Sequence, residues 1–227
     1  MNETFGEKAV SFYLNLQKPE YIPDGIQIIN PYENSVIKET TKVFFNKFFN
    51  DNEKRTFIYG INPGRFGGGI TGINFTDPVA LREYCGIENN LGNRRELSSQ
   101  FVYEFINALG GAEKFYRKFF ISAIYPLAIL KNGKNFNFYD DKKIYCQLKR
   151  DIVSYMKKQI EFGAENEIVV SLGKKNFTYL KELNDKIKYF KKIEFLEHPR
   201  FIMQYRRRQS ENFIRRYIKL LNPAEKY

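Results

Sequence analysis

Apolar residues recur at three- and four-residue steps through the first part of the chain, which is the spacing of one helix face. The first predicted helix carries Phe5, Ala9, Phe12 and Leu16 on its apolar side. A second amphipathic helix carries Ile37, Phe44 and Phe48. Scattered Pro and Gly between Pro19 and Pro31 predict an irregular connector between these two helices.

The period changes near residue 56, where short apolar runs replace the helical spacing. Four such runs, rich in strand-favouring residues, lie at 56–59, 119–125, 167–172 and 193–196. The second and third runs are almost continuously apolar, which is typical of strands covered on both faces. The pattern therefore predicts four strands of a buried sheet.

Helical patterns lie between these strands. Asp77 and Pro78 supply an N-cap and a first-turn proline, and Gly86 supplies a stop. A long apolar stripe over 144–160 ends at Gly163. Because strands alternate with helices, we predict an α/β fold with three α/β/α layers and a central four-stranded parallel sheet. Ligands of such sheets bind beyond the carboxyl ends of the strands.

No internal repeat, low-complexity tract or linker divides the sequence, so we predict one domain over residues 1–227. Residues 1–50 are expected to form a helical N-terminal extension packed on a core of residues 56–205. Residues 206–222 are expected to form a basic C-terminal helix.

The charge of the chain indicates the kind of partner. Lys and Arg number 37 against 26 Asp and Glu, which gives a net charge of +11 and a pI of about 9.4. Such an excess favours a polyanionic partner, most often nucleic acid. Aromatic residues make up 17% of the chain, and this content argues against disorder.

The few cysteines and histidines exclude several classes of protein. Cys85 and Cys146 are too few for a four-cysteine zinc site or an iron–sulfur cluster, and His198 alone excludes a two-histidine metal site. The polar start of the chain lacks a signal-peptide pattern, and no apolar run reaches the roughly 20 residues that span a bilayer. We therefore expect a cytoplasmic, monomeric protein without metal or cofactor, associated with the nucleoid if it is bacterial.

The first predicted strand runs into a loop with many glycines, from Gly60 to Gly72. Glycine lets a backbone approach a ligand closely, and a phosphate-cradling loop or a flexible turn is the simplest interpretation. However, the loop has neither the Lys-Ser/Thr ending of a P-loop nor a G-x-G-x-x-G pattern. A nucleotide-dependent transferase or hydrolase therefore ranks last among the hypotheses.

The segment Gly60-Ile61-Asn62-Pro63-Gly64 resembles the water-activating motif of the uracil-DNA glycosylase superfamily. The longer stretch is similar to that of the single-strand-selective monofunctional uracil-DNA glycosylases, G-M-N-P-G-x-F-G-x-x-x-T-G-x-x-F. It aligns without a gap from Gly60 to Phe75, and Ile61 is the one fixed position that differs. Sixteen positions in register make a specific signal.

Three further segments resemble the same family in the expected order. Leu196 to Arg200 is similar to the His-Pro motif that leads into a DNA-intercalating loop. Val169 to Lys174 is similar to the strand and Gly-Lys turn before the penultimate helix. Tyr125-Pro126-Leu127 is similar to the Cys-Pro-Leu after the second strand. The resemblance covers residues 57 to about 205, and the first 50 residues match nothing.

The resemblance implies a monofunctional DNA glycosylase that removes uracil or another deaminated base and leaves an abasic site. Asn62 would orient the attacking water, and neutral His198 would donate a hydrogen bond to the departing base. The base itself would contact Ile61, Gly64, Phe75, Ser122 and Ala123, with Phe75 stacked on its ring. Taken alone, Asn62 could be ordinary turn chemistry, His198 structural and Phe75 core packing.

The resemblance also implies a surface for DNA, either single- or double-stranded. Bulky side chains at Phe201, Ile202 and Met203 are suited to fill the hole that a flipped base leaves. Arg206, Arg207 and Arg208 follow at once and can hold phosphates. Arg65, Lys174 and Arg200 are also predicted to bind DNA. A catalytically inactive single-strand nucleic-acid-binding protein remains the alternative, because basic charge and aromatic residues suffice for binding.

One departure from the family concerns base choice. The related enzymes have an Asn two residues before the Cys of Cys-Pro-Leu, where it reads the Watson–Crick edge of the base. The aligned residue here is Ala123, which has no polar side chain, and its neighbour is Ser122. We therefore expect a substrate range broader than uracil, extending to hypoxanthine or xanthine.

Overall fold

A computed structural model describes residues 3–222 of the chain. Four parallel strands form its central sheet, namely β2 (Arg55–Gly60), β3 (Phe119–Ala123), β6 (Ala164–Leu172) and β7 (Lys192–Leu196). Their order across the sheet is β3-β2-β6-β7. Helices flank this sheet, and the prediction of an α/β/α fold on a four-stranded parallel sheet is confirmed.

The strands form where the apolar runs predict them. All five residues of β3 are buried, as are the last four residues of both β2 and β6. Strands buried on both faces need apolar side chains in both directions, which explains why these segments do not alternate with polar residues. The core of the protein therefore lies on both sides of β2 and β3.

Within the described residues, ten helices accompany the strands. Their bounds are α1 (Phe5–Leu14), α2 (Ser35–Phe48), α3 (Gly68–Thr71), α4 (Pro78–Glu83), α5 (Leu97–Ala108), α6 (Ala112–Lys118), α7 (Lys142–Ile160), α8 (Lys174–Ile187), α9 (Pro199–Tyr205) and α10 (Ser210–Leu221). The predicted cap at Asp77 is present, because its carboxylate accepts a hydrogen bond from the Ala80 amide.

A second, smaller sheet was not predicted. Its antiparallel strands are β1 (Ile26–Ile29), β4 (Ala128–Lys131) and β5 (Lys134–Phe136), in the order β1-β4-β5. The connector predicted between α1 and α2 therefore contains a strand. Asn132 and Gly133, both with positive φ, join β4 to β5. This Asn-Gly pair is a strong hairpin signal.

The N-terminal helices pack tightly on the central sheet through Arg55. This side chain is fully buried, and its guanidinium forms a salt bridge of 2.8 Å with Asp51. The guanidinium also stacks between the rings of Phe5 and Phe49, at 4.7 and 4.8 Å from their centroids. A buried charge is tolerated where it is paired in this way, and here it joins α1 to the start of β2.

The C-terminal region differs from the prediction at its start. Arg206 to Arg208 precede α10 as a cap residue and a short 3-10 turn, because α9 ends at Tyr205. The predicted C-terminal helix therefore begins at Ser210 and not at residue 206. Residues 1, 2 and 223–227 of the predicted domain lie outside the described residues. None of the helices within 3–222 is long and apolar enough to cross a membrane.

Candidate active site

A cavity of about 330 Å³ opens at the carboxyl edge of the central sheet. Residues at or just after the ends of three strands line it: Asn62 after β2, Ala123 at the end of β3 and His198 after β7. Its walls are completed by the glycine loop, α9 and the segment after the β4–β5 hairpin. The structure thus brings Asn62, Phe75 and His198 together in one cavity.

Phe75 is held in position by its own backbone and by Gly60. Its φ of 55° lies in the left-handed region, which is unusual for a bulky residue and common at functional sites. A Cβ atom at Gly60 would lie 2.5 Å from the Phe75 ring, so only glycine permits this close contact. The ring centroids of Phe75 and His198 lie 5.7 Å apart. The two rings therefore form neighbouring walls of the cavity.

The side chain of Asn62 is fixed by backbone groups near the hairpin. Its Nδ2 donates a hydrogen bond of 3.1 Å to the Phe136 carbonyl, and its Oδ1 accepts one of 3.3 Å from the Phe138 amide. These two bonds determine which side of the amide carries the oxygen. One lone pair of Oδ1 remains free to accept a hydrogen bond from a water molecule.

His198 is half-buried and caps α9, and its Nδ1 accepts a hydrogen bond of 3.1 Å from the Arg200 amide. Burial, with a smaller contribution from the Arg200 charge, lowers the pKa of His198 to about 4. The imidazole is therefore neutral at pH 7. Because Nδ1 accepts, the single ring proton is on Nε2, which can donate a hydrogen bond to a ligand.

The residues predicted to contact the base divide into two groups. Ile61, Gly64, Phe75 and Ala123 line the cavity. Ser122 does not, because it is fully buried and its hydroxyl bonds to Tyr13 and Gln159 behind the strand. The prediction that Ser122 contacts the base is wrong for this structure. Side chains alternate along a strand, so Ser122 and Ala123 point to opposite faces.

The predicted intercalating loop is the helix α9. Phe201 is 41% exposed and Tyr205 60% exposed, and both line the cavity. Ile202 and Met203 are buried at 0% and 5%, so the prediction that they enter the DNA is wrong for this structure. Residues four apart share a helix face, which makes Phe201 and Tyr205 the exposed aromatic pair.

The basic residues that are predicted to bind DNA have different positions. Arg200 lines the cavity and is exposed, and the three arginines at 206–208 are exposed beyond the end of α9. Lys174 is exposed at the start of α8 and does not line the cavity. Arg65 donates to the Gly133 carbonyl and stacks on Phe66, and it therefore braces the glycine loop against the hairpin.

Several lining residues were not predicted, namely Asn74, Glu96, Asn135, Asn137 and Tyr139. Glu96 lies over the glycine loop, where a Cβ atom at Gly67 would collide with its carboxylate. Burial raises the pKa of Glu96, and the Arg200 charge opposes this rise. The Gly67 backbone is therefore covered by the Glu96 side chain.

The residues that line the cavity offer amides, hydroxyls, one imidazole, one carboxylate and the guanidinium of Arg200. Within residues 3–222, no three His, Cys, Asp or Glu side chains lie close enough to one another to hold a metal ion. The chemistry available at this edge of the sheet is hydrogen bonding, aromatic stacking and the positioning of water.

The class of the protein follows from its fold and its site. The fold has three α/β/α layers, and Asn62, Phe75 and His198 surround one cavity at the carboxyl edge of the central sheet. The family model described as "Uracil DNA glycosylase superfamily" matches residues 46–222, and the chain belongs to this superfamily. The resemblance found in the sequence is confirmed.

Among solved structures, the chain is similar to wild-type SMUG2 from Pedobacter heparinus. The two share 40% sequence identity and a TM-score of 0.93, and the match covers 97% of each chain. None of the curated proteins compared with the chain matches it. The family and this relative support a uracil-DNA glycosylase type of function.

Proposed function

We propose that the protein is a monofunctional DNA glycosylase that hydrolyses the N-glycosidic bond of a flipped-out uracil or related deaminated base. The observation that carries this proposal is the placement of Asn62, Phe75 and neutral His198 around one cavity. The product is DNA with an abasic site. Asn62 has no amine to form a Schiff base, so strand cleavage by β-elimination is not expected.

The base has to leave the duplex or single-strand stack before its glycosidic carbon is accessible. The cavity receives it beside Phe75, whose ring face stacks on the base. Phe201 and Tyr205 lie at the same opening and are exposed, which suits them to stack against the neighbouring bases. The arginines after α9 are placed to contact the flanking phosphates, and the net charge of +11 favours binding.

Asn62 contributes by positioning water. Its amide is neutral and accepts no proton, so its role is orientation of the nucleophile towards C1′ of the sugar. The hydrogen bonds to Phe136 and Phe138 hold Oδ1 in place before substrate binds. A pre-positioned acceptor lowers the entropic cost of bringing water and sugar together.

His198 contributes to departure of the base. Negative charge develops on the base oxygen as the glycosidic bond breaks, and the Nε2 proton can donate to it. The neutral imidazole keeps one donor, the N–H at Nε2, because Nδ1 accepts from the Arg200 amide. The low pKa of His198 keeps this state over the whole physiological range.

A panel of oligonucleotides tests the proposal. Single- and double-stranded oligonucleotides carry uracil, hypoxanthine, xanthine or a thymine mismatch, and abasic sites are scored after alkali treatment. We expect abasic sites with at least one deaminated base, and formation of these sites on the order of 100-fold more slowly with an Asn62→Ala variant at the same protein concentration. Binding without any abasic product would instead identify an inactive nucleic-acid-binding protein.

A further inference from the structure

A chain of buried hydrogen bonds connects α1 with the edge of the cavity. The Tyr13 hydroxyl lies 2.9 Å from Ser122 Oγ, which lies 2.5 Å from Gln159 Oε1. Gln159 Nε2 in turn lies 3.2 Å from the Ala123 carbonyl oxygen. All four residues are buried. Tyr13 lies outside the 46–222 segment that matches the family model, so the N-terminal helix adds a contact of its own.

The donors in this chain can be assigned one after another. The Ala123 carbonyl only accepts, so Gln159 Nε2 donates to it and Gln159 Oε1 accepts the proton of Ser122. Ser122 has then used its only proton, and its oxygen accepts from Tyr13. The Tyr13 oxygen is left as an acceptor. The fixed carbonyl at one end therefore sets the direction of every bond.

Asn74 is a neighbour of the Tyr13 hydroxyl, because its side chain lowers the pKa of that hydroxyl against the larger effect of burial. Asn74 is only 8% exposed and lines the cavity, and it also borders a small void that Tyr13 lines. Because the Tyr13 oxygen accepts, the group that Asn74 can offer to it is the Nδ2 donor. In that orientation the Asn74 Oδ1 and the second Nδ2 proton would be available to a ligand in the cavity.

We propose that Asn74 is a specificity-determining residue that reads the Watson–Crick edge of the flipped base, and that Tyr13 is the positioning residue that orients its amide. This inference rests on the proposed function and deepens it. Ala123, which lines the same cavity, has no polar side chain for this purpose. Asn74 supplies the amide that is missing there.

The orientation of the amide selects one class of base. Uracil presents an N3–H donor beside the O4 acceptor, and these match the free Oδ1 and N–H of Asn74. Hypoxanthine and xanthine present the same pair at N1–H and O6. Cytosine and adenine reverse the pattern, so the amide would have to rotate and turn its Nδ2 away from Tyr13. The selected class is bases with an N–H next to a carbonyl.

Binding to uncleaved DNA tests this assignment independently of catalysis. Oligonucleotides carry 2′-fluoro-2′-deoxyuridine or 2′-fluoro-2′-deoxycytidine, in which fluorine slows glycosidic cleavage, and affinities are measured by fluorescence anisotropy. The variants are Asn74→Ala and Tyr13→Phe. Tyr189→Phe is the matched control, because it removes a tyrosine hydroxyl bonded to the Ala164 carbonyl, outside the cavity.

We expect wild type and Tyr189→Phe to prefer the uracil analogue by about 10- to 100-fold, the range for a bidentate base contact. Asn74→Ala should lower this preference to about threefold or less, and Tyr13→Phe should lower it in the same direction with an unchanged affinity for undamaged DNA. Asn74→Ala tests the inference even if loss of the Tyr13 hydroxyl prevents folding.

A wild-type preference in Asn74→Ala, or no preference in the wild type, would overturn the inference. Excision of uracil is measured in parallel on the unmodified oligonucleotide. If the wild type prefers the uracil analogue, Asn74→Ala loses this preference, and the wild type does not excise uracil, the proposed function is contradicted while Asn74 is still supported as the reader of the base.

Discussion

Acidification tests the environment of His198, which is the only histidine in the chain. Burial lowers its pKa to about 4 in the folded protein, against 6.5 for an ordinary histidine. The unfolded chain therefore takes up a proton first as the pH falls, and stability decreases from about pH 6.5 down to about pH 4. A shift of roughly 2.5 units corresponds to about 3 kcal/mol in total, of which about 2 kcal/mol is lost by pH 5.

Urea unfolding at pH 7 and pH 5 measures this loss in the wild type and in His198→Asn. Asparagine is a good N-cap, so the variant keeps a cap on α9 while it removes the titrating group. Carboxylates titrate in both proteins and cancel in the comparison. We expect the wild type to lose about 2 kcal/mol more than the variant between the two pH values.

The imidazole also gives a single histidine resonance, whose chemical shift follows its protonation directly. We expect this resonance to titrate near pH 4 and excision of uracil to continue down to about pH 5, where the imidazole is still neutral. A resonance that titrates near pH 6.5, or equal losses of stability in wild type and variant, would refute the buried neutral state of His198.

Three further predictions concern excision and binding. Asn62→Ala should lower the single-turnover excision rate by on the order of 100-fold with nearly unchanged DNA affinity, because Asn62 orients water; an unchanged rate would show that the water is held elsewhere. Replacing Arg206, Arg207 and Arg208 by Ala should lower the log–log salt slope of binding by about 0.7 to 0.9 for each phosphate that is no longer neutralised; an unchanged slope would make them ordinary surface residues. The wild type should excise hypoxanthine or xanthine besides uracil, and Ala123→Asn should narrow this range, as a substrate panel will show; strict uracil specificity in the wild type would contradict the argument.

The central sheet could be predicted from the sequence because its strands are long apolar runs. The residues of the candidate site followed from two motifs, since Asn62 and Phe75 occupy fixed positions in the first and His198 in the second. The β4–β5 hairpin could not be predicted in the same way. Its strands have only three and four residues, and β5 is polar and largely exposed, so periodicity carries little information there. Asn132-Gly133 was the available signal.

The wrong predictions of site residues share one cause, which is the direction of a side chain. Ser122 was predicted in the cavity beside Ala123, although adjacent residues of a strand face opposite ways. Ile202 was predicted to be exposed because the segment after His198 was interpreted as a loop. Once this segment is helical, Phe201 faces solvent while Ile202 turns towards the core. Motif alignment places residues along the chain, and secondary structure decides where they point.

The two bonds that hold Asn62 come from the main chain of Phe136 and Phe138, and not from their side chains. Any residue other than proline at position 138 supplies the same N–H, and every residue at position 136 supplies the same carbonyl. Substitutions at these two positions should therefore leave the water-binding amide in place, and their cost should appear in core packing, since Phe138 is fully buried. Insertion or deletion of one residue would displace both bonds at once, so the hold on Asn62 depends on the length of this segment and not on the side chains at positions 136 and 138.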